Sequence, residues 1–339
     1  MDHPFDAITL ASLRRRHSAK WSRYPVDVLP AWVAEMDYPL AAPIRAALHG
    51  AIEDDDCGYA DPAGLGATFA PWARATWGWD VAPPDVRVVP DVVTGLAELL
   101  QVATAPGDAV LIEPPVYPPF AGTARQLGRA VVTAPMARTA RGFAPDLAAI
   151  ERAYAAGARV HVLCSPHNPT GVVYAADALA AIAALADRHD VLVLADEIHA
   201  PLTLPGATHT PFPMASAAAA RRSIVLTSAS KTWNLAGLKA AVLVACADAP
   251  RAILAKLPPE ISYHAGHLGI LAARAAFTHG GPWRAQVLAM LDRNRALLAD
   301  LPGTRTPWEQ VLRTRLARGL SRRPALSWSR PARSWLANQ

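Results

Sequence analysis

The sequence predicts an α/β fold in which a mostly parallel sheet is covered by helices on both faces. Apolar runs of strand length alternate along the chain with alanine-rich amphipathic segments, and turn residues separate the two. This alternation is typical of parallel sheets, whose strands are connected by crossover helices. The chain has 339 residues and 52% apolar residues, which is enough to bury a substantial core.

Each element is placed by its hydrophobic period and by the turn residues beside it. In chain order, the predicted helices cover residues 40–52, 63–78, 94–104, 119–127, 145–156, 175–189, 264–278 and 283–300. The predicted strands cover residues 86–90, 108–112, 130–134, 159–164, 191–195, 223–227 and 240–245. The last two helices lead toward a smaller domain, and no internal repeat or flexible linker is apparent.

Composition and cysteine usage favour a soluble, cytoplasmic protein. No stretch approaches the ~20 apolar residues of a membrane span. The first residues, MDHPFDAITL, lack a basic region followed by an apolar one, so no secretory signal is expected. The three cysteines, Cys57, Cys164 and Cys246, are scattered and odd in number, which fits a reducing compartment. No His or Cys spacing suggests a metal site, and we expect none.

The most informative segment is SASKTWNLAGLK at residues 228–239. It places Lys231 beside the hydroxyls of Ser228 and Ser230, and a second cation, Lys239, follows eight residues later. A lysine that forms a Schiff base needs an aldehyde beside it. If that aldehyde carries a phosphate, as pyridoxal phosphate (PLP) does, the phosphate needs hydroxyls, N–H groups and a cation.

Two further segments supply polar groups at the ends of buried strands. SPHNPTG at residues 165–171 follows the apolar run Val160–Cys164 and holds Asn168 in a rigid loop. VLVLADEIH at residues 191–199 runs into Asp196, Glu197 and His199. Carboxyl ends of parallel strands are where α/β sheets bind ligands. A carboxylate there can pair with a pyridinium nitrogen and keep that ring electron-withdrawing.

Each segment also has an ordinary structural interpretation. An isolated Asn-Pro is a turn, an Asp-Glu pair after a strand often caps a helix, and a single His199 is commonly a core residue. A lysine flanked by serines is usually solvated surface. The joint order Asn168, Asp196, Lys231, each at or just beyond a strand, favours the cofactor interpretation over these.

With these motifs the chain resembles the fold-type I PLP enzymes of the class I/II aminotransferase superfamily, and within it the cystathionine β-lyase (MalY/PatB) branch. The segments SPHNPTG, DEIH and SKTWNLAGLK carry the resemblance. WVAEMDYPLAAPI at residues 32–44 adds to it, with Glu35 where an aspartate is usual. The similarity covers about residues 5–300 and implies a PLP fold-type I large domain with an incomplete small α+β domain.

The resemblance implies a role for each residue around the cofactor ring. Lys231 would form the Schiff base with PLP and later move the Cα proton of the substrate. Asp196 would pair with the pyridinium nitrogen, and Asn168 and His199 would hydrogen-bond the 3′-oxygen. Tyr117 would stack on the ring face. Many aminotransferases have tyrosine at the position of His199, so the histidine favours the lyase branch.

The resemblance also implies a phosphate cup and a second subunit. Val93 and Thr94 would offer N–H groups from a helix N-terminus. Ser228, Ser230 and Lys239 would complete the cup, with lysine where many relatives have arginine.

The resemblance also implies that Tyr59 is a catalytic residue. It would reach the phosphate of the neighbouring subunit, which requires a homodimer. Ordinary packing beside proline-rich loops remains the alternative for Tyr59 and Tyr117.

The resemblance divides the chain into three parts. Residues 1–38 form an N-terminal segment that packs with the small domain, residues 39–280 form the PLP-binding large domain, and residues 281–339 are a remnant of the small domain. From about residue 311 the tail is atypical, since residues 311–339 contain seven arginines, no lysine and no acid. Without those seven, 26 basic residues would face 28 acidic ones, so the tail causes most of the basic balance.

We expect that the natural reading frame is lost near Trp308–Val311. Relatives continue beyond this point and carry there the arginine that binds the substrate carboxylate, for which no counterpart is found. The nearby Arg313, Arg315 and Arg318 are not assigned that role. A basic tail can also bind nucleic acid or an anionic membrane, but no groove-reading motif accompanies it, so we expect neither partner.

The expected function is PLP-dependent cleavage of L-cystathionine or cysteine S-conjugates to a thiol, pyruvate and ammonia. A class I/II aminotransferase is the enzymatic alternative, because the cofactor motifs are shared. A catalytically impaired, truncated PLP-binding protein is the non-enzymatic alternative. Pro201 stands where lyase relatives often carry an acidic residue, which is expected to alter the substrate mouth.

Overall fold

A seven-stranded sheet with helices on both faces organises the part of the chain that the computed structural model describes, residues 3–140 and 142–299. Its strands are β1 (Val86–Val89), β2 (Ala109–Ile112), β3 (Ala130–Thr133), β6 (Ala158–Cys164), β7 (Leu192–Asp196), β8 (Ser223–Thr227) and β9 (Ala241–Val244). A separate hairpin is formed by β4 (Ala137–Thr139) and β5 (Gly142–Ala144).

The helices follow the same alternation. They are α1 (Leu10–Leu13), α2 (Ala19–Ser22), α3 (Ala42–Glu53), α4 (Ala63–Trp77), α5 (Val92–Ala103), α6 (Pro119–Gln126), α7 (Leu147–Ala155), α8 (Ala176–Arg188), α9 (Ala217–Arg222), α10 (Ala229–Thr232), α11 (Asp248–Leu254), α12 (His267–His279) and α13 (Gly281–Ala299). The predicted α/β fold is confirmed, and most predicted elements are found within two or three residues of their expected limits.

The sheet order is β1-β9-β8-β7-β6-β2-β3. Strands β3, β2, β6, β7 and β8 are parallel to one another, and β9 runs antiparallel between β8 and β1. The register pairs Cys164 of β6 with Asp196 of β7, and Asp196 with Leu226 of β8. The carboxyl ends of these three strands are therefore level, so the loops that follow them meet at one edge of the sheet.

Side chains alternate between two apolar clusters, one on each face of the sheet. Leu194 and Leu226 belong to the cluster that packs under α5 and α6, whereas Val193 and Ala195 belong to the cluster that includes α4 and α12. A strand has a side-chain period of two. Asp196 therefore lies on the α5 face, and the next carboxylate, Glu197, points to the α12 face.

The N-terminal segment packs on the last described helix. The Phe5 ring stacks on Tyr38 at 4.4 Å and lies 5.9 Å from the Trp283 ring of α13. Arg293 of α13 forms an ion pair with Asp6 at 2.6 Å. These contacts support the predicted association of residues 1–38 with the beginning of the third part of the chain, although the domain limits stay a prediction.

Two further predictions concern the C-terminal end of the chain and its cellular compartment. The frame change near Trp308–Val311 and the arginine-rich tail lie outside the described residues. Within residues 3–140 and 142–299, no helix is long and apolar enough to cross a membrane. Cys57, Cys164 and Cys246 are all free thiols.

Candidate active site

Lys231 lies in a short helix that is fixed directly after β8. The Ser228 hydroxyl accepts a hydrogen bond from the Ser230 N–H at 3.0 Å and donates to the Ala240 carbonyl at 2.6 Å. The end of β8 is thereby tied to β9, and the α10 turn presents Lys231 at the carboxyl edge of the sheet. The Lys231 Nζ donates to the Ala34 carbonyl at 3.4 Å.

Asn234, which sequence reasoning did not single out, connects this loop to the N-terminal segment. Its amide donates to the Met36 carbonyl at 2.8 Å and accepts from the Met36 N–H at 3.0 Å. The two residues lie in segments 228–239 and 32–44, so the motifs in these segments were the available signal. This pair of hydrogen bonds holds the chain near Ala34 against Lys231.

Asp196 is a buried carboxylate within the electrostatic reach of Lys231. One of its oxygens, Oδ1, accepts the Ile198 N–H at 3.0 Å. Burial raises the pKa of Asp196 to about 7, the charge of Glu197 adds to this, and the Ile198 hydrogen bond and Lys231 act against it. A cation against this carboxyl group would therefore be needed to keep it fully ionised at neutral pH.

Tyr117 links the two ends of the site. The half-buried ring packs edge-on against Phe120, with centroids 5.5 Å apart. Its pKa is raised by burial and by the negative charges of Asp196 and Asp91. A phenol that interacts with both carboxylates lies between the Asp196 end and the α5 end, as expected for a residue that stacks on a flat ring there.

The N-terminus of α5 forms the second end. Asp91 caps this helix through the Thr94 N–H at 2.8 Å, and Lys239 pairs with the same carboxylate at 3.0 Å. Burial works to raise the pKa of Asp91, but the Thr94 hydrogen bond and Lys239 outweigh it and hold the pKa below its ordinary value. The predicted phosphate ligands Thr94 and Lys239 therefore already surround an anion, with Val93 in the same first turn.

Asn168 lies in a loop that is anchored from several sides. Its N–H points at the Cys164 sulfur at 3.4 Å, and the Ser165 N–H donates to the Asp196 carbonyl at 3.0 Å. His167 donates to the Glu113 carbonyl at 3.2 Å and accepts from Thr170. Asn168 itself is half-buried, so its amide remains accessible at the sheet edge.

A buried network under this loop was also missed by sequence reasoning. His161 donates through Nε2 to Glu113 at 3.2 Å and accepts through Nδ1 from the Tyr154 hydroxyl at 2.7 Å. Burial, with the nearby Glu113 charge, raises the pKa of Tyr154 well above its usual value. This network stiffens the strand ends that carry Asn168.

The remaining predicted residues are placed as follows. His199 is half-buried and directly precedes a single turn of 3₁₀ helix at Ala200–Leu202. Ser230 is half-buried beside Lys231, and its carbonyl accepts the Leu235 N–H at 2.8 Å. Tyr59 is 94% exposed on the loop after α3 and belongs to a surface rather than to this cluster.

Ten of the predicted residues thus come from five loops or helix ends at the carboxyl edge of one sheet. An amine, a buried carboxylate, a flat aromatic ring and an anion cradle lie together there, which are the groups that hold a charged heteroaromatic phosphate. The fold is that of the fold-type I enzymes.

The chain belongs to the aminotransferase class I and II family, whose model matches residues 77–294. A Mycobacterium leprae protein named "Putative cystathionine beta-lyase" is 42% identical over 317 residues, which cover 89% of this chain and 77% of the relative. The Corynebacterium glutamicum "Cystathionine beta-lyase" is 33% identical, with 86% of this chain and 77% of the relative covered. The predicted superfamily and branch are confirmed.

Solved structures agree. A Corynebacterium diphtheriae protein described as a "putative plp-dependent beta-cystathionase" superposes with a TM-score of 0.81 at 34% identity, covering 88% of this chain and 77% of that one. A second family model, described as a "Putative metallopeptidase domain", matches residues 273–339, most of which lie outside the described residues. Within the described part, no group of three or more His, Cys, Asp or Glu is placed to hold a metal.

Proposed function

We propose that the protein is a PLP-dependent carbon–sulfur β-lyase that acts on L-cystathionine or related cysteine S-conjugates. The observation that carries the proposal is the buried Asp196, whose pKa is raised to about 7 by burial while Lys231 lies within electrostatic reach. A protonated pyridine nitrogen would supply a cation in direct contact with this carboxylate. Two relatives of this chain are named cystathionine beta-lyases, which describes the same carbon–sulfur cleavage.

The residues present fit the cofactor at both ends. Lys231 would hold the aldehyde covalently, and Asn168 and His199 would hydrogen-bond the ring oxygen. The first turn of α5, with Thr94 and Val93, would bind the phosphate.

Ser230 and Lys239 would complete the phosphate site from the other side. Ser228 contributes as a phosphate ligand only if its hydroxyl hydrogen turns away from the Ala240 carbonyl, to which it donates here.

The bound cofactor withdraws electrons from the bonds of the substrate Cα. The Lys231 amine would be the base that takes the proton from Cα. Asp196 would hold the ring nitrogen in its protonated form through a charge-assisted hydrogen bond.

Loss of the Cα proton then expels the sulfur group from Cβ. Hydrolysis of the remaining fragment completes the balance, in which cystathionine and water give homocysteine, pyruvate and ammonia.

A homodimer and a cytoplasmic location belong to the same proposal. Tyr59 is a large aromatic residue with 94% of its surface exposed, as expected for a side chain that is completed by a second subunit. Residues 39–280 would form the cofactor domain, with residues 1–38 packed on the third part. Free thiols in all three cysteines fit a reducing compartment.

The test is visible absorbance of the protein mixed with PLP, followed by addition of L-cystathionine and detection of pyruvate. Wild type should show a visible band and release pyruvate, and Lys231→Ala should do neither. Lys256→Ala, which removes an exposed lysine on another loop, is the matched control and should behave as wild type. A band without pyruvate, but with amino transfer to an added keto acid, would establish the aminotransferase instead. No band from folded wild type would overturn the proposal.

A further inference from the structure

A pocket of about 340 Å³ opens on the sheet face opposite to the cofactor site. Pro201, His209 and Arg284 line it, together with the Trp77 ring and several threonines. His209 on its wall hydrogen-bonds Glu197, which points to the sheet face opposite to that of Asp196. None of the proposed cofactor residues lines the pocket, so the pocket is separate from the site described above.

Arg284 is the cation of this pocket. No carboxylate within residues 3–140 and 142–299 forms an ion pair with its guanidinium. The guanidinium carbon lies over the Trp72 ring, 5.9 Å from the ring centroid. Burial alone lowers the pKa of Arg284. A half-buried guanidinium costs free energy unless an anion pairs with it. An anion bound in this pocket would therefore stabilise Arg284.

His209 supplies a buried acceptor on the wall of the same pocket. Its Nε2 donates to Glu197 at 3.0 Å, which leaves Nδ1 as a lone-pair acceptor in the neutral ring. This Nδ1 is buried and has no hydrogen-bond partner in the described part of the chain. His209 is only 7% exposed. A buried acceptor without a partner costs free energy that a ligand donor would restore.

We infer that this pocket binds a small carboxylate that also carries a hydrogen-bond donor, the class of 2-hydroxy and 2-amino acids, through Arg284 and His209. The carboxylate pairs with the guanidinium, and the hydroxyl or ammonium donates to Nδ1. One cation suits a monoanion better than a phosphate dianion. The apolar wall of Ala200, Pro201 and Leu288 accommodates a short carbon chain.

Pro201 lies on the apolar wall of the pocket. An aspartate introduced at this position would supply a carboxylate within the protein, which would compete with an external carboxylate for the Arg284 guanidinium.

The test is calorimetric titration of the PLP-loaded protein with L-lactate, which has no amine and cannot react at Lys231. Propionate keeps the carboxylate without the donor, and L-lactamide keeps the donor without the charge. Lactate should bind one to one, with propionate at least tenfold weaker and lactamide undetected. Arg284→Gln and Pro201→Asp should each weaken lactate at least tenfold.

Arg188→Gln is the matched control, since it removes the same charge from an exposed position on α8 and should leave lactate binding unchanged. Melting temperature and the visible cofactor band verify that each variant is folded. Lactate binding that survives both Arg284→Gln and Pro201→Asp would place the ligand elsewhere and overturn the inference. So would the absence of heat in wild type up to about 50 mM lactate, where a millimolar site is saturated.

Discussion

Asp196 and Glu197 are adjacent in the chain and both are buried, yet their carboxylates lie in opposite environments. Glu197 accepts from His209 at 3.0 Å and from the Phe212 N–H at 2.6 Å, so its charge is compensated by fixed donors. Asp196 accepts the Ile198 N–H, and burial raises its pKa to about 7. The period of two along β7 directs the two carboxylates to different faces of the sheet.

The difference separates an acid that stabilises the fold from an acid that we propose to bind the cofactor. A buried carboxylate whose partners are all internal stabilises the fold and has no capacity left for a ligand. A buried carboxylate without a fixed cation destabilises the ligand-free protein and gains when a cation arrives. The chain keeps both kinds at adjacent positions, and the first three experiments below alter one member of that contrast.

The largest effect is expected from Asp196→Asn on catalysis. The amide keeps the size of the side chain but cannot hold the ring nitrogen protonated, so pyruvate release from L-cystathionine should fall about 10²–10³-fold. Asp187→Asn on α8 is a surface control and should retain wild-type rates. A loss smaller than tenfold for Asp196→Asn would mean that this carboxylate does not pair with the cofactor.

Glu197→Ala should have the largest effect on stability. It leaves the His209 Nε2–H and the Phe212 N–H buried without acceptors, which costs about 3 kcal/mol in the free energy of unfolding. Asp196→Asn in cofactor-free protein should cost less than about 1 kcal/mol. Urea unfolding of both variants measures the two values, and the reverse order would contradict the contrast.

Asp196 should also make the stability of the cofactor-free protein depend on pH. The pKa of Asp196 is raised from 3.8 to about 7 in the folded protein, so between these values the folded state holds a proton that the unfolded chain has released. The free energy of unfolding of cofactor-free protein should therefore fall as pH rises, by about 2–3 kcal/mol between about pH 5 and 7.5. Asp196→Asn should lack this part of the slope in urea unfolding. An identical slope in wild type and variant would show that Asp196 is already ionised.

Gly269 of α12 packs against the loop that carries Lys239 of the proposed phosphate site, whereas Gly50 of α3 has open space around it. A Cβ at Gly269 of α12 would lie 2.0 Å from the Leu238 carbonyl oxygen, next to Lys239. Gly269→Ala should cost about 1–3 kcal/mol and weaken PLP binding, because the loop must shift. Gly50→Ala on α3 meets nothing within 4 Å and should stabilise by about 0.5–1 kcal/mol. Thermal unfolding with PLP titration measures both, and equal effects would refute the steric argument.

The smallest effect concerns Asp91, the carboxylate that occupies the anion cradle. Asp91→Asn keeps an N-cap but removes the negative charge beside Thr94 and Lys239, so PLP should bind about fivefold more tightly. Asp146→Asn at the N-cap of α7 makes the same change away from the site and should leave the affinity unchanged. Weaker PLP binding by Asp91→Asn would show that this carboxylate supports the cradle instead of competing with the phosphate.

The elements with a strong apolar pattern were predictable from the sequence, because burial on both faces leaves continuous apolar runs. Strands β6 to β9 and helices α4, α8 and α12 are of this kind. The hairpin of β4 and β5 was missed, since strands of three residues are too short to show a period. The helix expected at 94–104 begins earlier, at Val92, because Asp91 caps it.

The chemistry of the site was predictable as far as it lies in short motifs. Lys231, Asp196 and Asn168 follow strands whose ends are level, which the alternation of elements implies. The partners of Glu197 and the anchor at Asn234 were not predictable, because these contacts join segments that only the tertiary fold brings together. The antiparallel direction of β9 was likewise not readable, since a buried strand has the same pattern in either direction.

The most direct test is infrared difference spectroscopy of the Asp196 carboxyl group, with Asp196→Asn subtracted from wild type. Cofactor-free protein at about pH 6 should show the C=O band of a protonated acid, because burial favours the neutral form there. Addition of PLP should remove that band and produce a carboxylate band, as a cation now faces the group. A protonated-acid band that persists unchanged in the PLP-loaded protein would contradict the assignment of Asp196 as the partner of the cofactor.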